Sequence, residues 1–589
     1  MVPILAVDPG GLAPFGPVKW ALLPALVLAA LAGVMGRPRR LPPAVTRAGL
    51  AFLALAALSA AFGVDRLYAW IGTPDRHFGF LTWLLCAAAC VVGTRLSRGE
   101  SRTVATAGAA TAAALGVWAG AEALGWEPMT LVGAGSRPIG PLGSSAFLGA
   151  AAVLLTPLAI GLGRWRGYRT APAAACLGTV ALVVSGARAA WVGALLAALV
   201  YLVVRRPRPR LRASLAAAAI AATAIVALAL ATGVGGRVAS TWRDTEGGGR
   251  GRLDEWRVAA RVVAQHPWLG VGPEGYRIAF GRAVDDRYEM AHGRDPLPDR
   301  AHSALLDIAA TTGLPGLTAY LVLLFVVGRS VLRAMRDGPL WAAGIAVGLV
   351  GYAAQSLFLF PVAELEPVAW LLAGIVVGTN TGRGWARSRR ALAAAGLAAV
   401  LVLAALAAGT LDVAADHRAR TLGAGGTGPR PTALRPDAIR YYLAEARAGQ
   451  PDVARKALER ALDLWPSDPI VRLEHARLLL EEARGTGSAA TLAQARAELE
   501  RLSRDDPRNA AVLLRLGVAR ALAKDAAGAE RAWLRAERLA PRSGAAAVNL
   551  AIAYAQAGDW PKARAAAQRA LARDPANEVA TQILNTNGT

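Results

Sequence analysis

The fold class this sequence predicts is all-α: a polytopic helical membrane domain followed by a soluble α-helical repeat solenoid. Three observations predict it. Apolar residues fill 54% of the 589 positions and the mean hydropathy is positive, beyond what a soluble chain of this length shows. Apolar runs long enough to cross a bilayer, about 20 residues each, follow one another through the first 412 positions. The composition then turns to Ala, Arg, Leu and Glu at helical spacing, with Pro507, Pro541 and Pro575 recurring every 34 residues. These place a membrane domain at 1–412 with a large external loop at 235–302, a linker at 413–434 and a repeat domain at 435–589.

The apolar runs lie at 18–36, 46–63, 79–96, 103–124, 143–162, 171–186, 189–204, 213–233, 303–327, 339–360, 366–380 and 391–411, about 12 transmembrane helices. Basic residues cluster in alternate connections, at 37–40, 95–102, 164–169, 205–212, 329–336 and 383–390. The positive-inside bias puts these in the cytoplasm. The connections at 65–78, 125–142, 185–190, 235–300 and 360–366, and everything after 412, then lie outside. This alternation requires 171–204 to form two short spans broken near Arg188. The first 16 residues lack a basic n-region and a small-residue cleavage site, so the first span is expected to stay as an anchor.

Much of the net charge of +24 belongs to the cytoplasmic loops, so it implies no nucleic-acid partner. Cys86, Cys90 and Cys176 all fall inside apolar spans, which excludes disulfides and thiolate metal sites from the external parts.

The 34-residue interval is the period of a tetratricopeptide repeat. Pro466 stands 41 residues before Pro507, so the second repeat carries a seven-residue insertion around 485–488. Small residues occupy the helix-crossing positions: Ala454 and Ala461, Ala529 and Ala536, Ala563 and Ala570. Leu516 with Gly517, and Leu550 with Tyr554, are the expected core of the first helices in their repeats. Such an array offers a groove for a protein partner. The competing expectation is that it stabilises the membrane domain or mediates self-association.

The membrane domain carries four motifs in order. They are Ser-Gly-Ala-Arg-Ala-Ala-Trp-Val-Gly at 185–193, Arg-Leu-Asp-Glu-Trp-Arg at 252–257, His-Pro-Trp-Leu-Gly-Val-Gly at 266–272, and a segment in which His302 opens a long span. In order and spacing this set resembles the O-antigen ligase and polymerase family of membrane glycosyltransferases, over roughly 46–380. The resemblance implies transfer of an undecaprenyl-pyrophosphate-linked glycan to an acceptor hydroxyl at the outer face of the plasma membrane. It also implies roles for the residues that match: Arg188, Arg252 and Arg257, with Trp256, the 266–272 turn and His302. Two positions depart from the family pattern: Ser303 stands where Asn is usual, and Thr311 where Glu is frequent.

The residue types carry their own logic. Pyrophosphate leaves as a stable anion, so the site needs cations that hold it more than it needs an acid. Arginine meets this need through a planar, always-charged fork that grips phosphate oxygens in pairs. Arg188 interrupts an otherwise apolar stretch and is the first candidate, followed by Arg252 and Arg257, then by Arg76 and Arg137 in other external loops. Each arginine also has the plainer reading of snorkelling to the interface.

An acceptor hydroxyl gains from a base titrating near neutrality, which His302 supplies by type and position. Its plainer reading is a helix cap or a loop-carbonyl donor. His266 is expected to shape the turn before Pro267, and His77 and His292 have only their loop location. No Asp-x-Asp pair occurs in the external loops, Asp244-Thr245-Glu246 coming nearest, so no metal or other cofactor is expected and a single, inverting displacement is.

The partners expected are the lipid-linked donor, membrane lipid, a protein at the repeats, and an acceptor that is lipid A core sugar, a glycan end or a protein hydroxyl. The alternatives are a protein O-oligosaccharyltransferase, or a non-enzymatic transporter or flippase of lipid-linked sugar. A transporter keeps its charges near the bilayer midplane and shows symmetric halves.

Overall fold

Helices form where the apolar runs and the repeat period predict them, and the described residues contain no strand. The structure is a computed structural model that describes all residues except 38, 127–136, 164–168, 206–248, 295–296, 380–389, 423–428 and 587–589. In chain order come α1 Pro17–Val34, α2 Pro43–Ala61, α3 Phe80–Arg95, α4 Arg98–Ala123, α5 Ser145–Leu162, α6 Ala171–Val184 and α7 Arg188–Arg205. The long connection holds α8 Gly249–Gln265, α9 Tyr276–Ala283 and α10 Asp286–His292. Then follow α11 Ala304–Asp337, α12 Leu340–Gln355, α13 Glu366–Thr379 and α14 Arg390–Thr421. Eleven of the 12 expected spans are thus helices, and the run at 213–233 lies outside the described residues, as does most of the Gly-rich stretch at 423–431. Seven are long and apolar enough to cross a membrane by themselves, while α3, α6, α12 and α13 are shorter apolar helices.

The chain divides into two compact units. The first comprises Met1–Ala239, His266–Glu274 and Arg300–Tyr441, and the second Ser240–Gln265, Gly275–Asp299 and Tyr442–Thr589. The long connection is therefore shared between them in alternating pieces.

Within the first unit, helices approach closely where glycine removes the side chain. A Cβ at Gly93 of α3 would strike the Leu371 carbonyl of α13, and one at Gly374 would strike that of Cys90. The starts of α5, α7 and α11 come together with the end of α12. Gly149 of α5 lies against Ala187 and Ala190, Gly193 of α7 against Gly351 and Gln355 of α12, and the Ala304 N–H donates to the Ser356 carbonyl at 2.8 Å. The expected break near Arg188 is present: α6 ends at Val184, Gly186 turns the chain with φ +61°, and Arg188 begins α7.

The span expected at 303–327 is longer and is interrupted. α11 runs for 34 residues, and at Gly313 the backbone leaves the helix with φ +73°. The break frees carbonyls that need donors. Val271 N–H donates to Ala310, Gly272 N–H to Thr311, and Ser59 Oγ also to Thr311, while Leu314 N–H returns a bond to Pro267. The 266–272 turn is thus a plug that satisfies a broken helix. Alanine at Gly313 would be strained by its φ and would collide with the Trp268 carbonyl, so Gly313→Ala is expected to cost more than about 2 kcal/mol. Gly293→Ala, also at positive φ but facing open space, should cost less than Gly313→Ala, since it bears only the backbone strain of about 1–3 kcal/mol without the collision. Comparing thermal midpoints of the two variants checks this, and equal midpoints would refute the role assigned to the plug.

The last helices are α15 Ile439–Ala448, α16 Pro451–Leu464, α17 Pro469–Thr486, α18 Ala489–Asp505, α19 Ala510–Leu522, α20 Ala526–Leu539, α21 Ala545–Gln556, α22 Trp560–Leu571 and α23 Glu578–Asn585. The residues expected at helix crossings, Ala454, Ala461, Ala529, Ala536, Ala563 and Ala570, are all buried. Gly517 lies directly under the Trp533 indole. The insertion in the second repeat is taken up by longer helices, 18 residues in α17 and 17 in α18 against 13 and 14 in α19 and α20. Gly487 at φ +70° closes α17, and Ser488 caps α18 through the Thr491 N–H.

Candidate active site

His302 does not cap a helix: the residue that precedes α11 as N-cap is Ser303. His302 itself is held at φ +48°, a conformation uncommon outside glycine, with its ring edge-on to Phe360 at 5.4 Å. Phe360 gathers this region. The Arg76 guanidinium stands over the same ring at 4.9 Å, Arg300 at 6.0 Å, and Phe147 of α5 packs against it edge-on at 5.8 Å. A cation over an aromatic face is attracted by the ring quadrupole, which fixes both arginines relative to the imidazole.

Beneath the ring lies a buried ion triad. Arg300 is 2% exposed and reaches Glu274 at 2.8 Å and Asp307 at 3.1 Å. Glu274 also accepts from the Phe78 N–H at 2.9 Å and from Thr73 Oγ at 3.2 Å, and Asp307 accepts from the Ala301 N–H. The triad therefore ties the 73–78 loop carrying Arg76, the end of the 266–274 plug, and the first turn of α11 into one block next to His302.

Arg137 and Arg188 both adjoin the turn at Gly186. The Arg137 side chain runs past Gly186, its Cδ 3.2 Å from where a Cβ would stand, and Arg188 follows two residues later at the start of α7. Both arginines are exposed. The first turns of α5 link this turn to the Phe360 ring, since Phe147 touches Phe360 and Gly149 packs against the 185–190 turn.

Arg252 and Arg257 lie on α8, in the second unit. Arg257 pairs with Asp254 at 2.5 Å, and Asp254 also meets His292 Nε2 at 3.2 Å. Burial pushes the neighbouring Glu255 carboxyl up to about 7, with Arg252 pulling it back and Asp299 and Asp254 adding to the rise.

His77 is stacked on Trp20 at 4.7 Å, and burial together with Arg440 and Arg435 holds its imidazole well below the usual range, so it stays neutral. His266 accepts, through its carbonyl, the Gly270 N–H that closes the turn.

Sequence reasoning missed Arg300, Glu274, Asp307, Glu364 and Lys19. Burial pushes the Glu364 carboxyl up, while Lys19 and Arg76 pull it down. Lys19 is fully buried and donates to the Pro141 carbonyl at 2.7 Å. A signal was present for three of these: charges adjoining an apolar run are costly unless paired, and Glu274, Arg300 and Asp307 flank the plug and the His302 segment. Among the described residues no group of three or more His, Cys, Asp and Glu could hold a metal ion.

Comparison with known proteins finds that residues 172–321 match the family model of the O-antigen ligases. Residues 436–478 and 544–577 match tetratricopeptide repeats. No curated protein matches the chain. The ligase match covers α6, α7 and the long connection and extends into α11 beyond the break, so it includes Arg188, Arg252, Arg257 and His302.

Proposed function

We propose, for a chain that carries an O-antigen ligase domain followed by tetratricopeptide repeats, that the protein moves a glycan from an undecaprenyl-pyrophosphate-linked donor to an acceptor hydroxyl. The observation that supports this reading is that His302 and Arg76 share the Phe360 ring, while Phe147 and Gly149 in the first turns of α5 link that ring to the turn that Arg137 passes and Arg188 follows.

His302 takes the proton of the acceptor hydroxyl as its oxygen attacks the anomeric carbon. The bond from that carbon to the pyrophosphate oxygen breaks, and undecaprenyl pyrophosphate departs with the electron pair. Arg188, Arg137 and Arg76 neutralise the developing charge. One attack with no covalent intermediate inverts the anomeric centre, and no metal takes part. The reaction belongs to the outer face of the plasma (inner) membrane, with the repeats on the periplasmic side. The acceptor is lipid A core sugar, the end of a growing glycan, or a protein hydroxyl.

Purified protein in lipid, given the donor and each acceptor class in turn, is expected to form product with one of them at a rate unchanged by EDTA. Failure with all three would sink the transferase reading, and a loss that Mg²⁺ restores would sink its metal-free part.

A further inference from the structure

We infer that the repeat array's partner is a segment of the same chain: residues 275–294 of the long connection dock on the turns between repeats, and the array's task is to hold them. This goes beyond the transfer chemistry and does not depend on it.

Within the second unit, the segment meets the two turns that contain Pro466 and Pro507. Arg277 pairs with Asp468, with side chains 8% and 1% exposed. Arg294 forks onto Asp506 with both contacts at 2.7 Å, and also pairs with Glu289. Arg282 reaches Asp505 at 2.7 Å, and Asp286 receives Arg508 at 2.6 Å. Glu289 accepts the Ala510 N–H that opens α19. Gly281 comes so near that a Cβ there would lie 2.9 Å from Asp506 Cβ.

Several of these charges are buried, and the chain's own loop supplies their complement. A buried charge is tolerated only when matched, and a fork-to-carboxylate pair demands a set geometry. The segment brings Arg277, Arg282 and Arg294, and the turns answer with Asp468, Asp505 and Asp506. The adjoining cleft of about 630 Å³ has Arg294 and Leu297 on one wall and Leu473, Leu514 and Ala546 on the other. A ligand entering that cleft would thus meet the docked segment.

Two experiments on the full-length protein test this. Asp468→Asn with Asp506→Asn removes both charges yet leaves an oxygen for the Ile470 and Val471 N–H groups that Asp468 caps. Trypsin should then cut at Arg277, Arg282 and Arg287 at least about tenfold faster than in wild type. Unchanged cleavage would overturn the proposal. Independently, Gly281→Cys with Asp506→Cys should form a disulfide under mild oxidation, since the Cβ positions, 2.9 Å apart when docked, need to part by only about 1 Å to reach disulfide geometry. Both introduced thiols left free, in addition to those of Cys86, Cys90 and Cys176, in a protein with an unaltered melting curve would also overturn it. Neither readout requires glycan transfer, so failure here is distinguishable from failure of the transferase reading.

Discussion

Replacing His302 with alanine is expected to lower glycan transfer by about 10²–10⁴-fold, the usual contribution of a positioned general base, with the protein still folded. Cells carrying the variant at wild-type protein level should strand donor on undecaprenyl pyrophosphate. Full-length chains stranded there mark a ligase or protein transferase, and single repeats mark a polymerase. The structure supplies a control. His302 sits at φ +48°, where alanine is strained and asparagine is tolerated. His302→Asn keeps the backbone while losing the base, so it should be as inactive as the alanine variant. Activity restored by asparagine would show that the histidine serves conformation alone, and an unchanged glycan profile in both would remove it from catalysis.

Arg300→Ala is expected to have the largest effect on stability, about 3–5 kcal/mol, because it leaves Glu274 and Asp307 buried without their counter-charge. The melting temperature in detergent should fall sharply. Arg300→Lys keeps the charge but loses the fork, so it should lie between alanine and wild type. The triad also holds Thr73 and Phe78 on either side of Arg76, so the lysine variant should bind donor less tightly in proportion to its loss of stability. An alanine variant that melts like wild type would show that these buried charges are not energetically linked as drawn.

The fold was largely legible in the chain. Span positions follow from runs of apolar residues, and the break before Arg188 follows from the need for the basic loops to alternate. Repeat boundaries follow from proline spacing and from alanines where helices cross. Each is a local signal, because membrane insertion and helix pairing impose their requirements within about 20–34 residues. The interruption at Gly313 was not legible. Glycine and proline are common in membrane helices, and this break is stable because a turn some 40 residues earlier supplies the missing donors.

The site was legible by residue type and not by arrangement. The four motifs singled out His302, Arg188, Arg252 and Arg257, while Arg76 and Arg137 were picked for lying in external loops. What sets His302 beside Arg76 is Phe360, an apolar residue without any sequence signal, and what anchors both is a triad that joins Glu274 to the segment carrying Arg300 and Asp307. Acidic and basic residues in a loop look the same whether they meet water or one another.

By itself, then, the sequence determined an all-helical membrane protein with a repeat array and a short roster of candidate groups, because hydropathy, periodicity and charge bias act along the chain. Only the tertiary structure decided which charges pair, which helix breaks, and that the long connection is parcelled between two units, its 275–294 stretch paired with the repeats. Those outcomes rest on buried ion pairs and close backbone approaches between residues far apart in the chain, whose energies depend on desolvation and geometry that no local pattern records.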